Sequence, residues 1–152
     1  MNRSAPQAYN QSHCRKSVIV GYGASTLDDI GAAVAKAQGR DIEPEPHTER
    51  GYYYRSDHFE FAKVGVPSYY LHRGLKYIGM PADLAEKQAN DYIANRYHKV
   101  GDEVQPDWTF AGAAQDAAFL YEVGRAVADG ARWPEWRPGN EFKATRDAML
   151  KK

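Results

Sequence analysis

The chain has 152 residues, with 20 basic and 20 acidic side chains, 43% hydrophobic residues and a single cysteine, the composition of an ordinary globular domain. A chain of this length buries about two thirds of the surface that its unfolded form exposes, so it needs neither disulfides nor a structural metal merely to fold, and a stapled mini-protein is excluded. A formal charge of zero argues against nucleic acid as a partner, no apolar run reaches the ~20 residues of a bilayer span, and the opening residues lack the apolar core of a secretory signal.

Residues 1–16 mix Ser, Asn, Gln, Pro and basic residues without apolar periodicity and read as a disordered or atypical lead-in, which leaves residues 17–152 as one structured portion. Met1 to Leu27 contain no Asp or Glu, while Arg3, Arg15 and Lys16 are present, so any carboxylate chemistry must come from Asp28 onward. The β-branched run in "SVIVGYG" predicts a buried strand that ends in a turn at Gly21 and Gly23. A helix follows over 25–39. Leu27, Ile30, Val34 and Ala37 recur there at helical spacing, Ser25 with Asp28 resembles a capping box, and Gly39 suits the end. "DIEPEP" is extended, because each residue before a proline is pushed out of the helical region, and its prolines make it an edge or a loop.

The next segment reads as a loop, a short helix capped by Ser56 that runs from Phe59 to Val64 and stops at Gly65, and a strand from Val66 to Leu71. A helix that feeds a strand implies an α/β layer. Gly74 to Arg96 is an irregular connection with one short helix around Ala82 to Ala94, the kind of long connection that is often functional. The longest predicted helix places Phe110, Ala113, Ala117, Leu120, Gly124 and Val127 along one buried face. The tail is expected across the surface with Trp133 and Trp136 packed down. Cys14 has no intramolecular partner and reads as a bystander.

Five histidines invite a search for metal ligands or proton shuttles, but no His-Glu-x-x-His pair, Gly-x-Ser-x-Gly elbow or phosphate loop is present. Ser56, Asp57 and His58 are successive, so their side chains diverge and cannot form a triad. They read either as a helix start with an acid in its first turn or as a loop facing a cleft. Tyr52, Tyr53 and Tyr54 suit a pocket wall or a half-buried strand equally well. Tyr97 and His98 stand before Asp102 and Glu103, which offers either a phenol donor beside an imidazole ligand oriented by carboxylates, or a satisfied loop histidine. A metal-free hydrolase with Asp57 or Glu103 as base has only the proximity of acids and histidines behind it.

From Ser17 onward, the ordered blocks "VIVGYGASTLDD", "YYYRSDHFEFAKVGVPSYYL", "ANRYHKVGDEV", "FAGAAQDAAFLYEVGRAVAD" and "WRPGNEFKATRD" resemble the C-terminal part of the co-catalytic two-zinc exopeptidases. This is the family of bacterial leucyl aminopeptidase, aminopeptidase Y and glutamate carboxypeptidase. The resemblance implies an α/β fold, a mixed twisted sheet flanked by helices, with two zinc ions at strand ends activating a water for attack on a peptide carbonyl. It carries the last zinc ligand onto His98 and a hydrogen bond to the tetrahedral intermediate onto Tyr97. Tyr54, Ser56, Asp57, His58 and Phe59 fall on a loop beside the substrate pocket.

The family also needs another histidine, a bridging aspartate, a glutamate pair and one more carboxylate, all upstream of the first strand, where this chain has no acid. His13 and Cys14 are the only upstream candidates. The expectation is a C-terminal fragment that lacks the N-terminal half of a zinc aminopeptidase catalytic domain, supplies at most one recognisable ligand, and is inactive alone. The parent would take a peptide substrate, and an uncovered sheet edge would promote self-association. The alternative is a non-catalytic interaction module on the same fold. Members that the sequence resembles are often secreted or periplasmic.

Overall fold

The computed structural model describes residues 16–77, 81–104, 106, 108 and 110–151. Its three-stranded sheet has the order β2-β1-β3, where β1 is Lys16–Val20, β2 is Asp41–Pro44 and β3 is Tyr70–Arg73. Val18, Ile19 and Val20 are buried, as a β-branched run in a central strand should be. β2 runs parallel to β1 with Lys16 opposite Asp41, and β3 runs antiparallel with Val20 opposite Tyr70. Of the expected lead-in, only Lys16 lies among the described residues, and it opens β1.

The crossover from β1 to β2 is helix α1, Leu27–Ala37, which packs back over the sheet beside α5, Ala111–Ala128. Ala35, Phe119 and Val123 form the core there, against Ile30, Val34, Ile42, Tyr69 and Leu71. Pleat alternation sends Ile42 and Leu71 into this core, which leaves their neighbours Glu43 and His72 to the opposite face. Two acid-free glycine turns make the entry to α1. Gly21 and Gly23 have φ of 77° and 91°, and the Asp28 carboxylate accepts from the Gly23 N–H at 2.8 Å. Ser25 Oγ accepts from the Leu27 N–H at 3.2 Å. The expected reciprocal capping box is therefore replaced by two separate side-chain bonds, because Asp28 turns back to the glycine turn.

The stripe predicted for α5 is on the wrong side. Phe110 and Leu120 are exposed, while Phe119 and Val123 are buried. The helix is rich in alanine and carries large apolar residues on its exposed side as well, Leu120 and Tyr121, so periodicity alone leaves its rotation open. An ion pair settles it: the buried Arg40 guanidinium donates to Asp116 at 2.5 Å and lies 5.2 Å from the Phe119 ring centroid.

Tyr52–Arg55 forms a single helical turn, α2, and His58–Lys63 forms α3. The strand after α3 begins at Tyr70, later than expected. α4 spans Ala82–Asn95, close to expectation, and the tail expected to lie across the surface contains a helix, α6, Lys143–Leu150. The C-terminal segment folds back as a clasp. Trp136 is buried with Ala62 and Phe142, and its Nε1 donates to the Gly65 carbonyl at 3.0 Å. Trp133, by contrast, is 75% exposed rather than packed down. The Thr26 N–H donates to the Glu135 carbonyl at 2.9 Å, and the Arg137 N–H donates to the Ala24 carbonyl at 2.9 Å. Gly65 permits the close approach of α6: with φ of 86°, a Cβ there would sit 2.7 Å from the Arg146 amide nitrogen.

Candidate functional site

The sheet face opposite α1 and α5 is the floor of an open cavity of about 1350 Å³. Val18, His72 and Tyr70 line the floor, the segment from Glu43 to Arg50 forms one wall, and Ile93 and Tyr97 at the α4 end form the other. Tyr52 stacks on His72 with ring centroids 5.5 Å apart, and the Arg55 guanidinium lies 5.8 Å from the Tyr52 centroid. Glu43 pairs with Lys16 and with Lys76, and the Lys16 hydrogen bond holds its carboxyl below the usual range. Glu45 differs. Its Oε1 is buried without a hydrogen-bond partner, and burial, aided by the nearby Glu49, pushes its carboxyl up.

Tyr97 and His98 follow the end of α4. The Tyr97 N–H donates to the Tyr92 carbonyl at 2.9 Å, and His98 then takes a left-handed backbone with φ of 59°, uncommon for a residue with a Cβ. This geometry sets the His98 ring against Tyr97, with centroids 4.0 Å apart. Asp102, which the sequence offered as an orienting carboxylate for His98, instead accepts from the Tyr92 hydroxyl at 2.8 Å. Both Tyr97 and His98 are exposed.

The five residues expected at the substrate pocket take different places. Ser56 lines the cavity, and its hydroxyl donates to the Tyr52 carbonyl at 2.9 Å, so it closes α2 rather than capping α3. Asp57 precedes α3 with no side-chain cap bond and is exposed. Tyr54 donates to Glu141 at 3.1 Å, and Phe59 packs edge-on to Tyr54 and Phe142, so both face the C-terminal clasp. His58 lies between Tyr53 and Tyr70, with centroids 4.8 Å and 4.9 Å away. Both of its ring nitrogens are buried without partners, and burial lowers its pKa. Through Tyr70, it supports the cavity floor. Tyr52, which the sequence left open between pocket wall and strand, is a helical residue on the cavity wall. His72 and Ile93 had no signal in the sequence beyond ordinary strand and helix patterning.

Zinc needs about four ligands around each ion. Among the described residues, no group of three or more His, Cys, Asp or Glu side chains is placed to hold a metal. His98 stands alone on the surface as a candidate, and His13 and Cys14 lie outside the described residues. The described residues therefore do not by themselves make a two-zinc centre.

Residues 7–121 match the sequence profile of peptidase family M28. The chain belongs to that family. M28 proteins are metallopeptidases, hydrolases that are generally zinc-dependent, and the mixed sheet with helices on it is consistent with part of their α/β fold. No curated protein and no solved structure matches the chain. No described helix is long and apolar enough to cross a membrane.

Proposed function

We propose that residues 17–152 are the C-terminal portion of an M28 aminopeptidase catalytic domain, and that this portion is catalytically incomplete on its own. The observation behind this reading is the pairing of a family match over 7–121 with the lack of any metal-holding cluster among the described residues. In the parent enzyme, zinc would supply the activated water for hydrolysis of the peptide bond after a free amino-terminal residue. The contribution of this chain is different. With the missing residues supplied, the cavity would receive the peptide, the Tyr97 phenol at its wall would donate a hydrogen bond to the oxyanion, and His98 would provide one zinc ligand. Ser56 and Tyr52 shape the pocket directly, while Tyr54, Asp57, His58 and Phe59 set the position of the loop that carries them.

The test is zinc content by elemental analysis, on protein rinsed with chelator and then reconstituted with zinc, beside hydrolysis of aminoacyl-nitroanilides. Substoichiometric zinc without turnover is expected. Two zinc ions per chain with turnover would sink the incomplete-domain reading.

A second reading, a non-catalytic interaction module, is favoured by one observation: Phe110 just before α5, Tyr121 on it and Trp133 beyond it are more than half exposed. Size in solution separates the two. A half-domain with outer strands β2 and β3 open at the sheet edges self-associates, whereas a module is discrete and unfolds cooperatively.

A further inference from the structure

The cavity carries more chemistry than a generic peptide groove needs. Its apolar surface is aromatic and aliphatic: Tyr52, Tyr70 and Tyr97 supply rings, while Ala89 and Ile93 present a smooth stretch of α4. Such a surface accepts an alkyl chain along its length and a cation over its rings. At the β2 end the charge pattern is uneven. Glu43 is already neutralised by Lys16 and Lys76, and Glu49 is paired with His47 at 3.1 Å. Arg55 is directed elsewhere, because its Nη1 donates to the Arg50 carbonyl at 3.2 Å. Glu86 on α4 also lines the cavity but is exposed to water, which leaves Glu45 as the lining carboxylate with an oxygen, Oε1, that is buried without a hydrogen-bond partner, and His47 and Arg50 act on it only through their field. Pro44 and Pro46 flank it and restrict the backbone from which it projects. A carboxylate in that state gains most from a charged donor that arrives with its own apolar stem.

We propose that this end of the cavity is a subsite for an alkylammonium or guanidinium group, the basic side chain of a lysine or arginine in a bound peptide, with Glu45 as the group that selects it. The stem lies along Ala89 and Ile93, and the cationic head reaches the Glu45 carboxylate past the Tyr52 ring. The inference rests on the reading of the cavity as peptide-facing, and it extends that reading from peptides in general to those carrying a basic residue.

Binding rather than hydrolysis tests it, so a chain without turnover is still informative. The whole chain is titrated, with NMR shifts as readout, with an acetylated and amidated Gly-Lys-Gly peptide, with the same peptide carrying norleucine in place of lysine, and with free cadaverine. The lysine peptide is expected to bind at least about tenfold more tightly than the norleucine peptide, the factor that one charge-assisted hydrogen bond supplies. Glu45→Gln is expected to remove that difference while circular dichroism stays native. Equal affinity for the lysine and norleucine peptides overturns the proposal, and so does a preference for lysine that survives Glu45→Gln. Cadaverine binding as tightly as the lysine peptide overturns the peptide side chain as occupant, leaving a free amine in its place. Should Glu45→Gln fail to fold, the lysine and norleucine comparison on the unaltered chain decides alone. Lysine-selective binding by a chain that also holds two zinc ions and turns over aminoacyl-nitroanilides would uphold the subsite while overturning the incomplete-domain reading, which keeps the two failures apart.

Discussion

The two faces of the sheet are built to different standards. On the α1 and α5 side, Phe119 and Ile19 are almost wholly enclosed, and an ion pair between Arg40 and Asp116 fixes how α5 is turned. On the other side, α4 buries Ala85 while Ile93 is 40% exposed, and the space between helix and sheet is a cavity rather than a core. The difference teaches where each task resides. The closed face carries the core, and the open face carries the cavity that Tyr97, Glu43 and Glu45 line.

Substitutions break or sharpen this contrast. The largest effect is expected from Phe119→Ala, which removes a fully buried ring and should lower the unfolding free energy by about 3–5 kcal/mol in urea titration. Its counterpart on the open face, Ile93→Ala, should stay within about 1 kcal/mol. Equal losses would mean that α4 is as tightly packed as α5. Gly65→Ala comes next. It forces a side chain into a left-handed backbone and against the Arg146 amide, and should cost about 1–3 kcal/mol by the same measurement while leaving the α1–α5 core intact.

His58 gives an effect read through pH. Burial lowers its folded pKa below the ordinary 6.5, so the unfolded chain takes up the proton first. The stability it contributes is complete above about pH 6.5 and is lost as pH falls from there towards its folded pKa. The urea midpoint of the wild type should therefore drop over that range more steeply than that of His58→Phe, and parallel curves would show that the ring is not held neutral by its aromatic surroundings. Asp28 runs the other way. Burial raises its folded carboxyl pKa, so the native state holds the proton more tightly, and the stability of the wild type relative to Asp28→Asn should increase as pH falls through that raised value towards 3.8. The smallest effect belongs to Arg125→Ala on the exposed face of α5. Its pairs with Glu122 and Asp129 are solvent-facing, and no measurable change in the unfolding midpoint is expected.

What the sequence made legible follows from how local each signal is. β1 and α1 were readable because a β-branched run, a glycine turn and a helical period lie consecutively in Lys16 to Gly39. The rotation of α5 was not, because it is set by Arg40, a residue in the connection between α1 and β2, 76 positions away from Asp116. α6 escaped for a similar reason: its buried residue is a charged one, Arg146, held by its hydrogen bond to the Pro134 carbonyl at 3.3 Å. At the site, motif resemblance singled out Ser56 and Tyr97, and both line the cavity. Glu45 and His72 did not stand out, since a proline-flanked glutamate and a strand histidine acquire meaning only when α4 is brought across from them.

The C-terminal clasp has a consequence for the order in which the molecule can form. Glu135 donates its N–H to Thr26 Oγ1 across 109 positions of sequence, and Trp136, which closes over Ala62, donates to Gly65 across 71. During synthesis from the amino terminus, the start of α1 and the inner side of α3 therefore emerge long before the residues that cover them. Nascent chains halted ahead of Trp136 leave Ala62 and Phe59 facing water, the state in which an unfinished chain is most exposed to chaperones and proteases. Completion of the fold is thus tied to the emergence of the segment from Glu135 to Phe142.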